Sequence, residues 1–144
     1  MLTETLSKIV GLGHGGSYQE KFAESGLRVL ERALAETRNR QQSYLSLGHL
    51  LNALAIESPN VFDDVMLRTQ VEPTKAREFI RENLETIPKS ESKAVRIAPE
   101  VTSLFRQAQD TAQKSGRKIE AMDLGQVLSK GKFEFPRLVN WKVM

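Results

Sequence analysis

The sequence predicts an all-α protein made of two pseudo-repeated helical units. Three observations carry this. Apolar residues recur at helical spacing along most of the 144 residues. Long alternating stretches of the kind that build long strands are absent. The pattern from Phe22 to Leu54 also returns about 75 residues later, from Ile97 to Leu128, as in repeat architectures. Phe22-Ala23-Glu24 falls on Ile97-Ala98-Pro99, Val29-Leu30 on Leu104-Phe105, Ala33 on Ala108, Thr37 on Ala112 and Tyr44 on Ile119. After one deleted residue, His49-Leu50 falls on Asp123-Leu124 and Leu54 on Leu128.

Each element has a local reason. Leu2, Leu6, Ile9 and Val10 line one face of a short helix that Gly11 ends, and the glycine-rich segment from Gly11 to Ser17 follows as a flexible link. A long helix is predicted from about Gln19 to Arg40. Its buried stripe is Leu27, Leu30, Leu34 and the Thr37 methyl, Ala33 permits close packing, and Arg28, Glu31, Arg32 and Arg38 face water. Ser46 caps a helix carrying Leu47, Leu50, Leu51 and Leu54. Ser58-Pro59 starts another, with Val61, Phe62, Val65, Met66 and Leu67 apolar. Pro73 opens a helix with Ala76, Phe79, Ile80, Leu84 and Ile87 apolar. Pro99 opens the counterpart of the long helix, with Val101, Leu104, Phe105, Ala108 and Ala112 inside, and Gly116 closes it. A short helix follows from about Met122 to Leu128. Residues 131–144 do not read as the two helices that would complete a second unit. That unit is expected to be truncated, with Phe133, Phe135, Leu138 and Trp141 packing back over its apolar face.

The stretch Glu31-Arg32-Ala33-Leu34-Ala35-Glu36, followed by Ser43-Tyr44-Leu45-Ser46-Leu47-Gly48-His49-Leu50-Leu51-Asn52-Ala53-Leu54, resembles the repeat of the Clp amino-terminal domain, the double helical repeat at the front of Clp-type AAA+ unfoldases. The family pattern is an aromatic-Thr pair, a long Ala-rich helix, a basic turn and Tyr-x-x-x-Glu-His-Leu-Leu. The resemblance spans Lys21 to Leu128 and is closer in the first repeat. It implies a single Clp-N-like domain over 1–144: repeat one about 19–87, a linker about 88–96, repeat two about 97–130 and a tail 131–144. It also implies an amino-terminal module that receives adaptors and substrates, here as a free-standing copy without the ATPase ring. A fragment of a larger unfoldase is the alternative origin.

Composition narrows the function. Apolar residues are 40% and charged residues 27%, ordinary for a soluble globular protein. No apolar run approaches a membrane span and no signal peptide is legible, so a cytoplasmic location is expected. Cysteine is absent, which removes disulfides and thiol chemistry. Residues 1–96 hold 13 basic and 13 acidic side chains, whereas 97–144 hold 8 and 5, so the net charge of +3 resides in the second repeat and tail.

The sequence offers no catalytic, cofactor or metal constellation. Gly11-x-Gly13-x-x-Gly16 matches the dinucleotide fingerprint only as a string, because a helical pattern precedes it and no βαβ unit surrounds it. His14 and His49 stand on different elements with no ligating partner at i, i+4. His49 is expected to be structural, its ring bonding nearby backbone. Asp63-Asp64 and Glu82/Glu85 read as solvated charge rather than an acid–base pair.

Some family members bind phosphorylated arginine through the Thr after the leading aromatic and the Glu before His-Leu-Leu. Those Thr positions are Ala23 and Ala98 here. The Glu position is Gly48 in the first repeat and Met122 or Asp123 in the second, depending on the gap, so this activity is not expected. The expected function is a non-catalytic protein-binding module, without cofactors, whose partner is an adaptor, a substrate or a Clp unfoldase. It would bind through a groove between repeats or an exposed apolar helix face. The alternative is a small nucleic-acid-binding or regulatory protein using Lys130, Lys132, Phe133, Phe135, Arg137, Trp141 and Lys142.

Overall fold

The structure, a computed structural model, describes residues 21–90 and 95–130. The predicted helix at Leu2–Val10, the glycine segment, His14 and the tail beyond Lys130 lie outside the described residues. Among the described residues six helices and two short strands follow in order: α1 (Glu24–Asn39), β1 (Tyr44–Leu45), α2 (Leu47–Glu57), α3 (Pro59–Arg68), α4 (Pro73–Thr86), β2 (Arg96–Ile97), α5 (Pro99–Lys114) and α6 (Ala121–Ser129). The all-α expectation holds.

The two long helices match in length, 16 residues each, and end in the same way. After α1, Gln41 is left-handed at φ 58°, with Gln41 N–H donating to Arg38 O and Gln42 N–H to Thr37 O. After α5, Gly116 is left-handed at φ 68°, with Gly116 N–H donating to Gln113 O and Arg117 N–H to Ala112 O. Both are Schellman closures, which satisfy carbonyls that the helix end leaves open. Residues Gln41-Gln42 therefore correspond to Gly116-Arg117.

The short strands fix the rest of the alignment. β1 and β2 pair in parallel, Tyr44 opposite Arg96 and Leu45 opposite Ile97. A parallel bridge joins Phe22 to Ile119. Ala98 N–H donates to Leu45 O at 3.1 Å, and Ala23 N–H donates to Ile119 O at 2.7 Å. The two seams are reciprocal: the lead-in of each repeat pairs with the loop before the second helix of the other. Ile119 thus corresponds to Leu45, not to Tyr44 as the apolar pattern suggested. The deleted residue falls between Gln42 and Leu45, because an inward-facing strand residue has to be matched by another.

α2 is the hub. It packs on α1, α3, α4 and α5, and eight of its residues from Leu47 to Leu54 are buried. α6 packs on α5, α3 and α1. Two glycines allow close approach here. A Cβ on Gly26 would collide with the Ile119 carbonyl oxygen, and one on Gly125 would come within 2.6 Å of Val61 Cγ1. α1 starts at Glu24 rather than near Gln19, because Phe22 and Ala23 are drawn into the extended seam. In α1 the buried stripe includes Val29, while Leu27 is only half-buried. Leu67 and Phe79, members of the apolar patterns of α3 and α4, are exposed.

Candidate functional site: the groove at the first seam

A groove of about 450 Å³ lies where repeat one meets repeat two. Tyr44, Arg96, Ile97, Pro99, Thr102, Ser103 and Arg106 line it. Its floor follows from strand alternation. Leu45 and Ile97 are the inward pair, buried in the core. Their neighbours Tyr44 and Arg96, also opposite one another, are turned outward and exposed. Its wall follows from helix spacing. Pro99, Thr102, Ser103 and Arg106 sit at i, i+3, i+4 and i+7 of α5, one stripe facing away from the buried Val101, Leu104 and Phe105.

What holds this seam is a polar network behind it. His49 is fully buried. Its Nδ1 accepts from Ser46 N–H at 3.0 Å, so the neutral ring carries its proton on Nε2 and donates to Gln42 Oε1 at 2.5 Å. Gln42 Nε2 donates in turn to Leu84 O and Ile87 O at the end of α4. Burial, with the positive charge of Arg40 adding, lowers the His49 pKa to about 4. The expectation that His49 is structural, bonded to nearby backbone, is met.

In repeat two Asp123 occupies the His49 place. Its Oδ2 accepts from Glu120 N–H at 2.8 Å and from Arg117, the counterpart of Gln42. The Asp123 hydrogen bond raises the Arg117 pKa. Met122, exposed, therefore stands where Gly48 stands in the first repeat. The four positions that would hold a phosphorylated arginine are Ala23, Gly48, Ala98 and Met122, and none offers a hydroxyl or carboxylate. Asp123, the nearest acid, faces inward with its charge engaged.

Other predicted candidates disperse. Asp63 lies 2.8 Å from Arg77, and Asp64 lies 2.8 Å from Arg68. Glu82 and Glu85 are exposed on α4. Among the described residues no three His, Asp or Glu side chains gather as metal ligands, and no helix is long and apolar enough to cross a membrane. Of the basic and aromatic residues at the end of the chain, only Lys130 is described, exposed after α6. The others lie outside the described residues, as do Gly11, Gly13 and Gly16. The groove residues were not singled out from sequence, although the outward stripe of α5 is readable once Pro99 marks its start.

A scan against protein families matches residues 21–123 to the Clp repeat (R) N-terminal domain. The chain belongs to that family. The matched segment runs from the lead-in of α1 to the first turn of α6, and so contains both seams. Among solved structures, the Hsp104 N-terminal domain from Candida albicans is similar, with a TM-score of 0.67 at 13% identity, covering 85% of this chain and 83% of that one. At that identity the likeness speaks to the Clp N-domain fold alone. No curated protein sequence matches the chain.

Proposed function

We propose that this Clp N-domain is a non-catalytic, cytoplasmic protein-binding module that receives an adaptor, a substrate or a Clp unfoldase in the groove at the first seam. The observation that carries the reading is the groove itself. An exposed Tyr44 ring and the apolar edges of Ile97 and Pro99 form a shelf, and hydroxyls and guanidinium groups rim it. Aromatic anchors in such settings carry much of the energy of a protein contact. Ser46 Oγ lies 2.8 Å from His49 Nδ1, but the pair forms the capping box at the start of α2 and His49 is buried.

The test uses a permanently unfolded polypeptide as probe, titrated against the labelled full chain and read by fluorescence anisotropy. Tyr44→Ala is expected to weaken binding by about tenfold, the loss of one anchoring aromatic. Leu67→Ala, on the exposed face of α3, is expected to leave it unchanged. Loss with Leu67→Ala and none with Tyr44→Ala would move the binding surface to the helix face.

A further inference from the structure

Resting on that reading, we infer that the groove takes an extended acidic segment of the partner, with carboxylates placed against Arg96 and Arg106 and an apolar side chain against Tyr44. The charge of the groove carries the inference. Arg96 and Arg106 are both exposed, line the groove, and make no ion pair with another described residue. Among the described residues no carboxylate lines it. Elsewhere on the surface most arginines are matched: Arg28 with Glu24, Arg32 with Glu57, Arg40 with Glu36, Arg68 with Asp64, Arg77 with Asp63 and Arg117 with Asp123. A guanidinium presents a planar fork of donors suited to a carboxylate, and two of them beside one groove favour a segment with several acids.

The hydroxyls agree. Ser103 Oγ accepts from Gln107 Nε2 at 3.4 Å, which leaves its own proton to donate. Six of the seven groove residues fall on α5 or its lead-in strand, and five of those six lie within 97–144, the stretch that holds the whole net charge of +3.

The second seam is the internal control. By the repeat alignment, Leu27 and Arg28 stand where Thr102 and Ser103 stand, and Glu24 stands where Pro99 stands. Larger side chains occupy that wall, and the Arg28 guanidinium is answered by Glu24 at 3.4 Å. Among the described residues, the first seam thus offers two guanidinium groups without an ion pair, whereas at the second Arg28 is paired with Glu24, Glu31 stands where Arg106 stands, and Lys21 and Lys118 stand where Arg96 and Tyr44 stand.

The experiment titrates the full chain with three probes: a 12-residue peptide alternating Glu with small residues around one Leu, its Glu→Gln version, and an oligothymidylate of similar length. The Glu peptide is expected to bind about tenfold more tightly than the Gln peptide, and to lose that advantage as salt rises from about 50 to 500 mM. Arg96→Gln and Arg106→Gln should each weaken the Glu peptide about three- to fivefold, as single exposed ion pairs do, and leave the Gln peptide unmoved. Arg28→Gln should change neither. Thermal melts of these surface variants, expected to overlay the parent, exclude misfolding.

Equal binding of the Glu and Gln peptides, both dependent on Tyr44, would overturn the acidic occupant and leave the protein-binding reading standing. Tighter binding of the oligothymidylate through Arg96 and Arg106 would overturn it as well. If the unfolded polypeptide binds and neither peptide does, the acidic segment is refuted alone. If nothing binds, both readings fall.

Discussion

Repeat one secures the start of its second helix with a neutral pair, and repeat two does so with a charged one. In both, the third helical residue accepts from the N-cap backbone: His49 from Ser46 and Asp123 from Glu120. In both, the residue after the left-handed turn braces that side chain: Gln42 for His49 and Arg117 for Asp123. The difference follows from surroundings. Gln42 is itself buried and spends its amide on the carbonyls of Leu84 and Ile87, so the position has no water for a charge. Arg117 keeps 30% of its side chain exposed and can hydrate its guanidinium while neutralising Asp123. One backbone geometry therefore accepts either chemistry, provided that partner and solvation change together.

The largest test of this equivalence exchanges the chemistries. His49→Asp places a carboxylate in a buried position beside a neutral amide, and is expected to cost about 4 kcal/mol in urea unfolding, the range for an uncompensated buried charge. Adding Gln42→Arg should return about 2 kcal/mol of that as coupling in a double-mutant cycle. A cycle additive to within about 0.5 kcal/mol would show that positions 42 and 49 are not the counterparts of 117 and 123.

Acid is the next largest lever. The folded state holds His49 neutral down to about pH 4, whereas the unfolded chain protonates it near the ordinary histidine value of 6.5. Unfolding then takes up a proton between those values, so stability falls as pH falls through that window and is fully present above 6.5. The loss attributable to His49 is about 3 kcal/mol across the window. It is read as the difference between the parent and His49→Gln, whose acid sensitivity should be smaller by that amount. Identical pH profiles would mean that His49 does not titrate as a buried neutral ring.

The seams differ in closeness of approach. Gly26→Ala, ordinarily a gain in a helix, is expected to lose about 2 kcal/mol because its Cβ meets the Ile119 carbonyl. The corresponding residue at the first seam is Val101, buried and tolerated. A stabilised Gly26→Ala protein would show that the second seam is looser than described. The smallest effect concerns the turns. Gln41→Gly should gain about 1 kcal/mol by relieving a left-handed non-glycine residue, and Gly116→Gln should lose about as much, both by thermal unfolding.

Much of this fold could be read in the chain, for identifiable reasons. Ser46, Pro59, Pro73, Pro99 and Gly116 mark helix ends by local chemistry, and each sits where its conformation demands. The register of the repeat was legible to within one residue. Apolar matching set Tyr44 against Ile119, but only strand pairing shows that Leu45 is the inward residue. The groove was not legible. It depends on Tyr44 meeting Arg96 across a two-residue ladder, and neither the length nor the composition of those segments announces strands. Likewise, nothing in the order Gln42-Ser43-Tyr44 says that a glutamine amide reaches the end of α4.

The central claim is that one seam of a pseudo-symmetric Clp N-domain is open to a partner and the other is closed. A titration of the isotopically labelled full chain with the acidic peptide, followed by backbone amide chemical shifts, tests it most directly. The account predicts shifts concentrated at Tyr44, Arg96, Ile97, Thr102, Ser103 and Arg106, with Lys21, Leu27, Arg28 and Lys118 unmoved. Shifts of equal size at both seams, or confined to the second, would contradict it.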